Sequence, residues 1–204
     1  VRPEDLVIAA PAVGTAVVNV IAQDGVSLHT TRVQRELPAI PGENGGAVLD
    51  SRGYLKMAVF NRYGKAQHGL ALIEGMGQVR GAVALTYGHD AHNLTVYGGN
   101  DADMALAANA VIEAQGGICA AQDGTVRRIP LPLAGLMSTL PPEELLAELT
   151  AFLTDCGEMG FSHADLMSFF TIMPLAVSPE IKCTDRGLLD VAHKRFLPLI
   201  EKRK

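Results

Sequence analysis

The residues from Gly81 to Asn109, GAVALTYGHDAHNLTVYGGNDADMALAAN, restrict the fold of this 204-residue chain more than any other stretch. Two short apolar runs, Gly81 to Tyr87 and Leu94 to Gly98, are each bounded by glycine and read as strands. An alanine-rich segment follows, with Asn100 or Asp101 placed to cap a helix and Met104, Ala107, Ala108, Val111 and Ile112 at helical spacing. A strand, a short loop, a strand and a helix in so few residues call for a sheet with a helix against it. The loop between the strands carries His89, Asp90, His92 and Asn93, and a sheet edge can hold such a cluster rigidly.

The same glycine-punctuated pattern runs through the amino-terminal half. Val13 to Ala22 and Val26 to Leu37 are rich in β-branched residues and meet at Asp24-Gly25, which favours a tight hairpin. Leu37 to Gly53, with Pro38 and Pro41, reads as a loop, Tyr54 to Asn61 as a half-buried strand, Gly64 to His68 as a turn, and Leu70 to Glu74 as another strand. After the helix, Gly116-Gly117 provides a stop. Ile118 to Ala121 and Thr125 to Ile129 form a second hairpin across Asp123-Gly124, whose AQDG repeats the tetrapeptide at Ala22 to Gly25. Pro141-Pro142-Glu143-Glu144 opens a second helix, with proline and acids at the end that tolerates both, and a third apolar segment from Leu166 stops before Pro174. The expected fold is an α/β (α+β) sandwich: mixed β-sheets with helices packed on the faces, in one domain over residues 1–204. The length and the lack of eight strand–helix repeats exclude a (β/α)8 barrel.

Composition narrows the function classes. A net charge of −5 gives no electrostatic reason to expect nucleic acid or an anionic membrane as partner, and the closing Glu201-Lys202-Arg203-Lys204 is too short to change that. No apolar run approaches the roughly 20 residues of a membrane span, and the amino terminus lacks a signal-peptide pattern. Cys119, Cys156 and Cys183 lie far apart without CxxC spacing, so a cytoplasmic protein with inert thiols is expected. With Trp absent and aromatics sparse, the core must come from Ala, Val, Leu, Ile and Met. The chain begins at Val1 without Met, which hints at a processed product or an excised segment.

Read from its residues alone, the cluster admits two roles. Asp90 and Asn93 can cap turns while the histidines tie the loop to a neighbour. His89 and His92, three apart, could turn both imidazoles with Asp90 toward one metal ion, although structural sites want four ligands. Gly75-Met76-Gly77 and Gly98-Gly99 have no phosphate-loop context, and Thr184-Asp185-Arg186-Gly187 reads as a turn that an Asp-Arg pair could fix.

YGHDAHNLTVYGGNDADMALAAN, followed by IEAQGG, LPLAGLMS, SFFTIMPLAVSPEIKCTDRGLLDV and a closing FLPLI, resembles the carboxy-terminal domain of bacterial and archaeal adenine deaminases of the amidohydrolase superfamily. The resemblance runs from about Val1 to Ile200, is densest from Gly81 to Ser138, and includes an opening VRPEDL like the segment by which that family's chain leaves its barrel. It implies a parent enzyme that converts adenine and water to hypoxanthine and ammonia, with a divalent metal pair, manganese or iron, held in an upstream (β/α)8 barrel. This chain has neither that barrel nor the HxH pair that begins its metal site, so no cofactor is expected here and the isolated chain is expected to be catalytically incomplete. Its expected partners are the upstream barrel, adenine or a related purine, and further copies in a homo-oligomer, and the resemblance implies a further role for the cluster: one histidine at the mouth of the barrel site, hydrogen-bonding the purine, holding the lid over the metal-bound hydroxide or shuttling the proton that leaves with ammonia. The alternative is a free-standing module that binds a purine or small metabolite without chemistry. Two departures stand out: Tyr63 in Asn61-Arg62-Tyr63-Gly64-Lys65, where the family has His, and Met-Ser-Phe-Phe-Thr-Ile-Met ending at Met173, which keeps apolar packing.

Overall fold

The computed structural model describes residues 1–43 and 45–201, so the basic Lys202-Arg203-Lys204 lies outside the described residues. One sheet contains β1 (Ala9–Ala10), β2 (Gly14–Ala22), β3 (Thr31–Pro41), β4 (Ala47–Leu49), β5 (Leu55–Phe60), β6 (His68–Glu74), β7 (Ala82–Leu85), β8 (Leu94–Gly98), β9 (Gly117–Gln122) and β10 (Thr125–Pro130). Their order across the sheet is β1-β4-β3-β2-β6-β5-β8-β7-β9-β10, open rather than closed into a barrel. Every pairing is antiparallel except β2 with β6, which makes the sheet mixed as expected. The helices are α1 (Asp101–Glu113), α2 (Pro142–Glu158) and α3 (Leu166–Ile172), and β11 (Ile181–Thr184), β12 (Gly187–Asp190) and β13 (Arg195–Leu197) form a small second sheet.

Strand alternation divides the core between the two sheet faces. Leu55, Met57, Val83, Leu85, Tyr97 and Ile118 point to the side covered by α2, α3 and the small sheet. Ala58, Ala82, Ala84, Val96, Cys119 and Ala121 point to the side covered by α1. The second face is small-sided, and α1 meets it with Ala105, Ala107 and Ala108, so the helix sits close. Gly98 is part of that fit, because a Cβ there would run into the side chains of Met104 and Ala82. Asn100 caps α1 by accepting from the Asp103 amide at 2.8 Å. The opposite face takes the bulk instead, with Phe152, Phe161, Phe169 and Phe170 in one buried cluster. The core is therefore not purely aliphatic: four of the six phenylalanines concentrate there.

Several boundaries differ from the sequence-based expectation for physical reasons. The first hairpin pairs Ala22 with Thr31, so residues 23–30 form a wide loop rather than a turn at Asp24-Gly25. That loop is held open by tertiary bonds: the Ala164 amide donates to the Gly25 carbonyl at 2.8 Å, and the His163 ring contacts the Ser27 carbonyl at 3.1 Å. β3 runs on through Pro38 to Pro41, and β4 pairs with it inside the stretch expected to be loop. Neither proline has an amide to donate, but the Pro38 carbonyl still accepts from Asp50 at 2.8 Å. The second sheet was not anticipated beyond its Thr184-to-Gly187 turn; it docks on β6 where Gly69 leaves no room for a Cβ against the backbone of Thr184 and Gly187.

β5 is buried on both faces, not half-buried, and Lys56 is enclosed within it. Its ammonium donates to the Leu6 carbonyl at 2.9 Å and to the Asp101 carboxylate, fastening the opening Pro3–Leu6 turn to the start of α1. Lys56→Ala should therefore lower stability by about 1–3 kcal/mol, measured by urea denaturation, because it strands a buried carbonyl and a carboxylate. A loss below about 0.5 kcal/mol, the ordinary surface range, would contradict this role.

Candidate functional site

The β7–β8 connection, residues 86–93, is anchored on every side. Its first residue, Thr86, donates its hydroxyl to the Gly135 carbonyl at 2.7 Å, and its amide bonds the Gly117 carbonyl at 3.0 Å. The His89 amide donates to the Thr171 carbonyl of α3 at 3.0 Å, and the His92 amide folds back on the Gly88 carbonyl at 2.9 Å. His92 turns the chain at φ 50°, a left-handed conformation uncommon for a residue with a Cβ. From the turn after β5, the Tyr63 hydroxyl donates to the Ala91 carbonyl at 2.8 Å, and the Arg62 guanidinium donates to the His92 carbonyl at 3.0 Å.

These anchors bring all four sequence candidates to one cleft, three at its rim and Asn93 buried among them. The rings of His89 and His92 have centroids 6.2 Å apart, with Tyr87 at 6.1 Å from the first and 6.4 Å from the second. Asp90 is exposed beside them. Asn93 is buried, and its side-chain oxygen accepts from the Arg62 amide at 3.2 Å, so it supports the loop from beneath. The cluster borders a cleft of about 300 Å³ whose far wall includes Pro174, Arg186, Leu189 and Phe196. His92 Nδ1 is buried without a hydrogen-bond partner among the described residues. A larger groove of about 650 Å³ lies between β10 and α2, but Arg127 already pairs with Asp155 and Glu148 there.

Among the described residues, no group of three or more His, Cys, Asp or Glu side chains is gathered closely enough to hold a metal ion. The three cysteines are free and buried. Burial pushes the Cys119 and Cys183 thiols up to about 12 and raises Cys156 as well, which leaves them neutral and poor nucleophiles. The Thr184-to-Gly187 turn is not fixed by an Asp-Arg pair: Asp185 accepts from Asn61 at 2.6 Å and Gln67 at 2.7 Å, while Arg186 lies 4.5 Å over the Phe196 ring. Arg62, Tyr63 and Thr171 support the loop from distant segments, and sequence reasoning did not place them there. The one signal was that Asn61-Arg62-Tyr63-Gly64-Lys65 already stood out as a motif.

Comparison with known proteins converges on one family. The profile of the adenine deaminase C-terminal domain matches residues 27–195. Adenine deaminase of Methylobacterium sp. (strain 4-46) is 38% identical over 200 residues, which cover 97% of this chain and 34% of that protein. Adenine deaminase of Oleidesulfovibrio alaskensis is 42% identical over 167 residues, 80% of this chain and 29% of that protein. Adenine deaminase 2 of Shouchella clausii is 37% identical over 169 residues, 81% of this chain and 29% of its own length. The chain thus spans about a third of the length of the curated relatives it matches. It belongs to the adenine deaminase C-terminal domain family.

Proposed function

We propose that this domain packs against the catalytic barrel of an adenine deaminase and presents the His89–His92 loop at the mouth of the active site. The reaction of the whole protein is then adenine plus water giving hypoxanthine plus ammonia, with manganese or iron bound by the upstream barrel. The observation that carries this reading is the loop itself: His89, Asp90 and His92 stand together on a backbone pinned from α3 and from Arg62 and Tyr63. Such rigidity suits groups that must meet a substrate in one geometry. Tyr63, Tyr87, Leu133 and Met137, all exposed, lie on the loops that meet here and supply apolar surface for a partner domain. Either imidazole can hydrogen-bond the purine or carry the proton that leaves with ammonia. Among the described residues no group of side chains is gathered to hold a metal ion, and the role assigned to this loop is binding, orientation and proton transfer.

A cytoplasmic homo-oligomer is part of the same proposal, supported on location by the three free, buried cysteines. The test is adenine turnover by a protein that carries this domain with its upstream region. His89→Ala and His92→Ala should each lower kcat/KM, with at least one falling by about 10²- to 10⁴-fold, the usual worth of a positioned acid or base. The 204-residue chain alone should show no turnover above a Mn²⁺ blank. Unchanged kcat/KM in both variants, or metal-dependent turnover by the isolated chain, would overturn the proposal. The cleft of about 300 Å³ beside the cluster also favours a second reading, a purine-binding module, which adenine titration into the isolated chain by calorimetry tests directly.

A further inference from the structure

The side chain of Arg62 joins two loops that are far apart in sequence. One guanidinium nitrogen donates to the His92 carbonyl at 3.0 Å and the other to the Ala134 carbonyl at 2.6 Å. Ala134 sits at φ 59° in the Leu131-to-Ser138 loop, where Leu133 and Met137 form an isolated bridge. A Cβ on the neighbouring Gly135 would lie 3.1 Å from the Thr86 hydroxyl and 3.2 Å from the Arg62 guanidinium, so the loop comes close enough to meet both. The backbone amide of Arg62 adds a third bond, to Asn93, and Tyr63 a fourth, to Ala91. A planar fork can reach two carbonyls at once, whereas an ammonium is a single point of donation.

We propose that Arg62 is a positioning residue for the candidate site, locking the His89–Asn93 loop and the Leu131–Ser138 loop into one rim. The proposal rests on the reading of that loop as the functional edge of the domain. Its test uses no adenine, so its failure is separable from failure of the deaminase reading. In the 204-residue chain, Arg62→Ala should accelerate amide hydrogen exchange at His92 and at Met137 together, each roughly tenfold, while sheet amides and the melting temperature stay near the parent values. The imidazole resonances of His89 and His92 should shift at the same time. Arg62→Lys should restore protection in one loop at most. Acceleration in only one loop or in neither, full rescue of both by lysine, or a uniform rise across the sheet with a lowered melting temperature would each overturn the positioning role.

Discussion

Replacing Phe170 with alanine is expected to cost about 3–5 kcal/mol of folding stability, a large share of the total for a domain of this size. Phe170 is fully buried at the centre of a cluster of five aromatic rings. Its ring centroid lies 5.1 Å from Tyr97, 5.3 Å from Phe161, 5.5 Å from Phe169 and 6.3 Å from Phe152. The pairs are tilted or edge-on, the geometry that adds to the gain from burial alone. Its carbonyl also accepts the buried Tyr97 hydroxyl at 2.8 Å, so the residue ties α3 to β8 through backbone as well as side chain. The next residue, Thr171, holds the His89 amide, and loosening α3 should therefore loosen the candidate site too. Urea denaturation of Phe170→Ala beside Phe170→Leu checks the size of the effect. A loss below about 1 kcal/mol for the alanine variant would mean that the ring cluster lies outside the cooperative core.

The elements that could be read from the sequence are those whose geometry is local. Asn100 before an alanine stripe, Asp123-Gly124 between two β runs, and prolines with glutamates at Pro141 to Glu144 each carry their own geometric instruction, and α1, the β9–β10 hairpin and α2 formed where expected. The failures are cases where a distant partner decides. Asp24-Gly25 carries a hairpin signal, yet Ala164 and His163 hold that loop open. Lys56 alternates like a surface residue, but Leu6 and Asp101 arrive from both sides to satisfy it. The β11–β13 sheet is short and lies among turns, and its position depends on Gly69, whose missing side chain is legible only once the hairpin sits over it.

For the candidate site the division is similar. His89, Asp90 and His92 were visible because three reactive side chains crowd a short loop between recognisable strands, and the structure keeps them together. Asn93 looked equivalent in sequence, but the alternation resuming at β8 turns it inward to Arg62. What aims the cluster comes from residues 62–63, 134 and 171, joined by main-chain carbonyls that any residue type could supply. Such acceptors leave no mark on composition or spacing. The crowding of reactive side chains therefore pointed to the candidate loop, and the geometry shows which distant residues hold it.

Lys182→Met should make the chain more stable by up to about 3 kcal/mol at pH 7, the reverse of what removing a charged residue from a strand usually suggests. Ile181 and Cys183 face the main core, so alternation puts Lys182 on the other side of β11, paired across from Leu189. It is 0% exposed, and its ammonium has no hydrogen-bond partner among the described residues. Burial alone lowers its pKa from 10.5 to about 8. Below pH 8 both folded and unfolded chains hold the proton, and the folded state bears the whole cost of an unpaired buried charge. Between 8 and 10.5 the folded chain has released the proton and the unfolded chain has not, so this residue's penalty fades as pH rises. The buried thiols act in the opposite sense above pH 9, since Cys119 and Cys183 resist ionising until about 12 while the unfolded thiols do not. Those contributions cancel when the parent and Lys182→Met are compared at the same pH, which leaves a stability gap that should close steadily from pH 8 to 10.5. A gap independent of pH would assign the effect to packing. A less stable methionine variant would show that the ammonium has a counter-charge, and the strand would then hold its lysine for a partner rather than in spite of its burial.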